Sequence, residues 1–243
     1  MTINDYKQNT ISNINSIPNE YKLILNDLLS AESGRLHRNS TETDITTGTG
    51  IYRVSSPNAE IFKYIDMVAA NVTAGKSNTW DSRTITIVDG MLDKDIIFYY
   101  SYLFYKDFYS GIDLSLFPDE VLIDITNLYA NSPQGCKFAV SRGAINLYKI
   151  GAVTLTADEV FEPMDKIGPK TINLLNKIKD SNHDVHRTFI MSLMFEMQQY
   201  YCNLVTQDKE KVAKASAIIP NIKYLPGWGN RLDNRLDSRL KGK

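Results

Sequence analysis

The chain has 243 residues, 43% of them apolar and 23% charged, with a formal net charge of −1. This is the profile of a folded globular protein and not of a disordered one, and a near-neutral total excludes a nucleic-acid binder held by a basic field. The length suffices for one large domain or two small lobes, and two cysteines, Cys136 and Cys202, are too few for a disulfide framework.

Residues 1–16 are polar and Asn-rich and read as a loose arm. They lack the basic and then apolar regions of a signal peptide, and no apolar run reaches the roughly 18–20 residues of a membrane helix. The expectation is a chain made and folded in a cytosol. "PNEYKLILNDLLSAE" places Tyr21, Leu25, Leu28 and Leu29 on one helical face, with Pro18 near the first turn and Glu32 at the C-terminal end. Residues 33–53, rich in Gly, Ser, Thr and Asn, read as turns and a short, irregular β-hairpin. "SPNAEIFKYIDMVAANV" predicts a second helix with Ser56 as N-cap, Pro57 at its first position, and Ile61, Ile65, Val68 and Val72 facing inward.

"TITIV" (84–88) fits either a strand or the start of a helix. "DIIFYYSYLFYKDFY" reads as a buried aromatic helix. Pro118 and Asp119 open another through Tyr129, "NSPQG" breaks it, and "CKFAVSRGAINLY" restarts it. Thr156 with Glu159 forms a capping box, Pro169 opens "IGPKTINLLNKI", and residues 184–206 form a long amphipathic helix. "LPGWGN" ends the packed region. No solenoid-type repeat is present. The sum is a mainly α (α+β) chain with one small β-hairpin near its start.

Glu32 is followed nine positions later by Thr41 and fifteen positions later by Thr47. A glutamate closing a helix, faced by a polar hairpin, is a layout that hydrolysis of a glycosidic bond can use. One carboxyl group stays protonated, if burial at a cleft wall raises its pKa, and donates to the leaving oxygen. A second group on the far side of the sugar holds a water or stabilises the developing charge. The competing reading is a solvated helix-end glutamate in a threonine-rich loop.

Several segments carry a resemblance. "ESGRL" resembles the Glu-Gly-x-Arg-Leu opening of phage-type lysozymes, and Glu32, Thr41 and Thr47 match the spacing of their catalytic triad. Thr47, Gly50 and Ile51 match the Thr-x-x-Gly-Ile pattern of glycoside hydrolase family 108. "YKDFYSGIDLSLFPDEVLIDITNLYANSP", "AVSRGAIN", "KIGPKTINLL" and "LPGWGNRL" are similar to later segments of that family, in the family's order, over roughly residues 28–232. The chain departs from the pattern at Ser33, where the family has Gly, and at Tyr52, where it usually has Thr. It also has no aspartate at position 41, which leaves Asp44 or Glu42 as an alternative second acid.

The resemblance implies a lysozyme-like fold with a helical C-terminal lobe: an arm at 1–16, a catalytic lobe at 17–115, a helical peptidoglycan-binding-like lobe at 116–230 and a basic tail at 231–243. Glu32 is then the general acid, Thr47 positions the attacking water, and Thr41 fills the place of the second carboxylate. A threonine there excludes a covalent sugar–aspartate intermediate and favours direct attack by water with inversion. Arg35, Asp44, Tyr52 and Tyr105 are the candidate substrate-binding residues. No cofactor is expected, because an acid and a water suffice.

Other features have simpler readings. The aromatics Phe98, Tyr99, Tyr100, Tyr102, Phe104, Tyr105, Phe108 and Tyr109 are mostly core, with one or two tyrosines left to line a cleft. His183 and His186 resemble a metal pair but lack further ligands at zinc-site spacing, and read as a surface helix start. Cys136 reads as a small buried thiol. The tail "RLDNRLDSRLKGK" sets Arg231, Arg235 and Arg239 in one stripe, and residues 223–243 hold six basic and two acidic side chains. It is either a solvated last helix or a contact with anionic envelope lipid.

The resemblance therefore implies a peptidoglycan hydrolase that cleaves the β-1,4 bond between N-acetylmuramic acid and N-acetylglucosamine. It would be an endolysin waiting in the host cytoplasm, or a lysozyme carried in the phage virion, with the bacterial wall as its partner. The rivals are a peptidoglycan-binding or structural phage component that has lost the chemistry, and a lytic transglycosylase using the same glutamate.

Overall fold

The computed structural model describes residues 1–38, 45–72, 74, 81–154 and 167–215. These are mainly helical, with one two-stranded antiparallel sheet. Chain packing divides the molecule into two compact units, Met1–Ser110 and Gly111–Lys243.

In the first unit, helix α1 (Ile3–Asn13) occupies the segment expected to be a loose arm. Thr2 and Asp5 cap it reciprocally, a local signal that the Asn-rich composition hides. One aromatic docks it: Tyr6 is fully buried, its ring 4.9 Å from Tyr100 and 5.5 Å from Tyr64, and its hydroxyl donates to Glu60 at 2.9 Å. Helix α2 (Asn19–Ala31) runs to Glu32. Strands β1 (His37–Arg38) and β2 (Ile45–Thr46) pair with His37 opposite Thr46 and Arg38 opposite Ile45, and Tyr52 bridges back to Thr46.

Helix α3 (Glu60–Val72) starts later than the sequence suggests. The Ser56 carbonyl accepts the Ala59 N–H, closing a turn ahead of the helix, so Ser56 is not its N-cap. The undecided "TITIV" belongs to helix α4 (Ser82–Asp89). Its run of β-branched residues favours a strand, but Asp81 caps the Thr84 N–H at 2.8 Å and Ile85 and Val88, one turn apart, are both buried. Helix α5 (Lys94–Phe108) is the core of the unit. Ile96, Ile97, Tyr99, Tyr100, Ser101, Tyr102 and Tyr105 are buried around nearly its whole girth, and α1, α2 and α3 pack on it. Phe108 is left exposed at its end.

In the second unit, helix α6 (Asp119–Asn131) leads through Ser132, which caps the Gly135 N–H, into helix α7 (Pro133–Lys149). Helix α7 is central, packed by α6, by α8 (Pro169–Lys179) and by α9 (His183–Ala215). Gly135 lets α9 approach closely, since a Cβ there would stand 2.8 Å from Met197 Cε and from the Tyr200 ring. The Thr156–Glu159 capping box, "LPGWGN" and the Arg/Leu tail lie outside the described residues. Among the described residues no helix is long and apolar enough to cross a membrane.

Candidate functional site

Helix α2 stops because Ser33 and Gly34 both take left-handed backbone, at φ 63° and 62°. A β-carbon makes that conformation costly, by about 1–2 kcal/mol, so Ser33 is strained and Gly34 is not. Glu32 is the C-cap, its N–H donating to the Leu28 carbonyl at 2.9 Å. His37 Nε2 sits 3.1 Å from the Glu32 carbonyl oxygen and 2.9 Å from Ser33 Oγ. A carbonyl can only accept, so Nε2 carries the proton and ties the hairpin's first strand to the helix end.

The hairpin returns against this turn. Thr47 N–H donates to the Ile51 carbonyl and Gly50 N–H to the Thr47 carbonyl, both at 3.0 Å, closing a tight turn over 47–51. Gly48 meets the α2 exit backbone to backbone: a Cβ there would stand 2.2 Å from Arg35 N and 2.3 Å from the Gly34 carbonyl carbon. Gly50, at φ 76°, passes beneath the glutamate and beside the phenol of Tyr105, its absent Cβ 4.0 Å from Glu32 Oε1 and 3.5 Å from the Tyr105 hydroxyl. Tyr105, on α5, donates to the Thr49 carbonyl. Burial, and then the charges of Glu32 and Tyr52, push its phenol well above the ordinary range.

Thr47 is fully buried. Its Oγ1 accepts the N–H of Thr49 at 3.4 Å and of Ile51 at 3.3 Å, and lies 2.8 Å from Thr49 Oγ1. Two amides occupy both lone pairs, so its own proton goes to Thr49, whose hydroxyl meets Ser101 Oγ at 2.9 Å. In this arrangement the Thr47 hydroxyl is fully used by the protein. It positions a water only after giving up one of these bonds.

Of the residues singled out from sequence, Glu32, Thr47, Tyr52 and Tyr105 come together around the hairpin turn. Tyr52 is 43% exposed and Tyr105 is buried. Arg35 is exposed, on the turn that leaves α2. Thr41 and Asp44, with Glu42, lie outside the described residues. A general acid at neutral pH needs a carboxyl group shielded by a poorly hydrated wall. The Glu32 residue is instead exposed, because it caps a helix whose next two residues turn away in left-handed conformation. Gly50 entered through the Thr-x-x-Gly-Ile resemblance, whereas Thr49, His37 and Ser101 were not anticipated. "TGTG" hinted at a tight turn, but nothing local marks Ser101, whose partner is 52 residues away.

Beside this cluster, a cavity of about 590 Å³ opens between the α2 exit, Thr47–Gly48 and the α4–α5 junction. Among the described residues no group of three or more His, Cys, Asp or Glu is placed to hold a metal ion. In the second unit, exposed His183 pairs with Glu120. His186, expected at the surface, is 8% exposed: its Nε2 lies 3.0 Å from the Ile178 carbonyl as α9 packs on α8. Cys136 is buried, as its sequence context suggested. Comparison with protein-family models, with characterised proteins and with solved structures finds no match to this chain.

Proposed function

We propose that this chain is a lysozyme-type glycan hydrolase that cleaves the β-1,4 bond between N-acetylmuramic acid and N-acetylglucosamine in bacterial cell wall, as an endolysin or a phage-particle component. The observation that carries the reading is the Glu32 carboxylate at the open end of α2, set over Gly50, with the hairpin turn and Tyr105 behind it. Gly50 and the Tyr105 phenol lie on one side of the carboxylate, and the residue is exposed. Glu32 gives its proton to the leaving oxygen once the bound sugar displaces water from it. With threonine at position 41 no sugar–carboxylate intermediate forms there; water attacks directly, its proton passing to solvent, and the configuration inverts.

A second reading, a glycan-binding module without the chemistry, is favoured by the exposure of Glu32 and by the fully used hydroxyl of Thr47. Release of reducing ends from purified peptidoglycan separates the two. Wild-type protein releases them, and Glu32→Gln lowers the rate by about 10²–10⁴ with an unchanged circular dichroism spectrum. Equal rates for the two proteins remove Glu32 as the acid. Binding to the wall with no reducing ends from either selects the module.

A further inference from the structure

Helix α9 has a buried side and an open one. Phe189, Ile190, Leu193, Met194 and Met197 are buried where it packs with α6, α7 and α8. On the open side Met191 is 43% and Phe195 55% exposed, and Gln198 and Cys202 are exposed with them. A helix face in water ordinarily carries charged residues. This one carries none. From Thr188 to Thr206 the sole charged residue is Glu196, which is buried and accepts a hydrogen bond from Asn146 of α7 at 2.8 Å. The chain as a whole is 23% charged, so this stretch is depleted of the residues that keep a helix face in water.

The exposed positions Met191, Phe195, Gln198 and Cys202 follow one another at spacings of four, three and four. Alternation of three and four is the seam along which two helices pack. The order also reads the same from either end. An antiparallel copy of the helix therefore meets it position for position, Met191 against the partner's Cys202 and Phe195 against the partner's Gln198, with the same two pairs repeated about a two-fold axis. Self-pairing brings no like charges together, because the face has none. A lipid surface would be matched instead by Lys and Arg beside the apolar residues, and this face offers neither.

We infer that the open face of α9 is the contact surface for a second copy of the chain, joined as an antiparallel, two-fold helix pair. One helix pair is smaller than the roughly 1,200–2,000 Å² of stable interfaces, so the dimer is reversible. The pairing uses residues of the second unit and none of those placed at the Glu32 site.

Disulfide trapping tests the register. Helices packed about 8–10 Å apart, with Cα atoms on a radius of about 2.3 Å, bring facing Cα atoms to roughly 3.5–5.5 Å, which overlaps the span of a disulfide. Cys202 and the partner's Cys202 are separated by eleven positions along the paired helices, about 16 Å, beyond that span. In a glutathione redox buffer, Met191→Cys is expected to form a covalent dimer through the introduced thiol and the partner's Cys202. Wild type and Met191→Cys/Cys202→Ser stay monomeric on non-reducing gels. Sedimentation velocity from about 10 to 300 μM, a range that brackets weak association, should show wild type shifting towards dimer. Phe195→Lys, an exposed change that leaves the circular dichroism spectrum unaltered, should stay monomeric and should abolish trapping in Met191→Cys. Monomer at every concentration without trapping overturns the pairing, and so does a dimer that Phe195→Lys leaves intact. Trapping of wild type as readily as Met191→Cys overturns the antiparallel register and the proposal with it. Flotation of the chain with anionic vesicles, lost in Phe195→Lys, assigns the face to a lipid surface and likewise overturns it.

Discussion

The carboxylate of Glu32 and the phenol of Tyr105 meet over one glycine: the Cβ that Gly50 lacks would stand 3.5 Å from the Tyr105 hydroxyl and 4.0 Å from Glu32 Oε1. The two side chains come from helices 73 positions apart in sequence, so the hairpin turn is what gathers them. Gly50→Ala adds left-handed strain of about 1–2 kcal/mol, while its methyl group meets both groups at ordinary contact distance. The expected outcome is a melting temperature lower by roughly 2–8 °C and slower release of reducing ends. An unchanged melting temperature would show that the turn relaxes freely.

Gly48 packs against backbone, which has no rotamer to move aside. Gly48→Ala is therefore expected to cost about 3 kcal/mol, at the upper end of ordinary overpacking. Urea denaturation followed by circular dichroism measures it. A loss below about 1 kcal/mol would mean that the two turns do not touch.

Ser33 holds a left-handed backbone that suits glycine better, at φ 63°. Ser33→Gly removes that strain and forfeits an exposed hydrogen bond to His37. The net expectation is a gain of about 0.5–1 kcal/mol, read as a higher urea midpoint at unchanged slope. Ser33→Val loses stability instead, because a β-branched side chain tolerates this conformation least.

Tyr6 and Tyr105 have phenols raised mainly by burial, with Glu60 assisting at Tyr6 and Glu32 at Tyr105. The folded state thus holds these protons more tightly than the unfolded chain. Their contribution is complete below the ordinary phenol value of about 10. Above it, the unfolded chain loses protons that the folded chain keeps, and stability falls by up to about 1.4 kcal/mol per pH unit for each phenol. Urea midpoints at pH 8, 10 and 11 should be flat and then fall. Tyr105→Phe should have a lower midpoint at pH 8, from the unsatisfied Thr49 carbonyl, and a shallower alkaline decline. Parallel declines in the two proteins would contradict this assignment.

The two cysteines differ in reactivity for a structural reason. Burial pushes the Cys136 thiol up to about 12, while Cys202 is exposed on α9. A chromogenic disulfide at pH 8 should titrate one thiol per folded chain and two in denaturant. Two fast thiols in the folded chain would place Cys136 at the surface.

Much of the helical framework was legible in the sequence, because the signals that specify it act over a few residues. The Pro118–Asp119 start of α6, the Pro169 start of α8 and the aromatic run of α5 are found near the positions their caps and periodicity give, whereas α7 starts at Pro133, inside the segment read as a break, because Ser132 caps it. The glutamate at the end of α2 and the hairpin after it were legible for the same reason. What the tertiary structure decided is where groups from distant segments meet. Helix α1 looked like an arm because its burial rests on Tyr6 finding Tyr64 and Tyr100. The segment 84–88 became helical because Asp81 caps it and the core receives Ile85 and Val88 on one side. Thr47 points into the interior, and Glu32 is in water, because the left-handed turn at Ser33–Gly34 and the contact with Gly48 fix both directions. Spacing along a chain sets which residues arrive near a site, but burial and hydrogen-bond saturation depend on atoms supplied from elsewhere, and these become defined only when the chain has closed on itself.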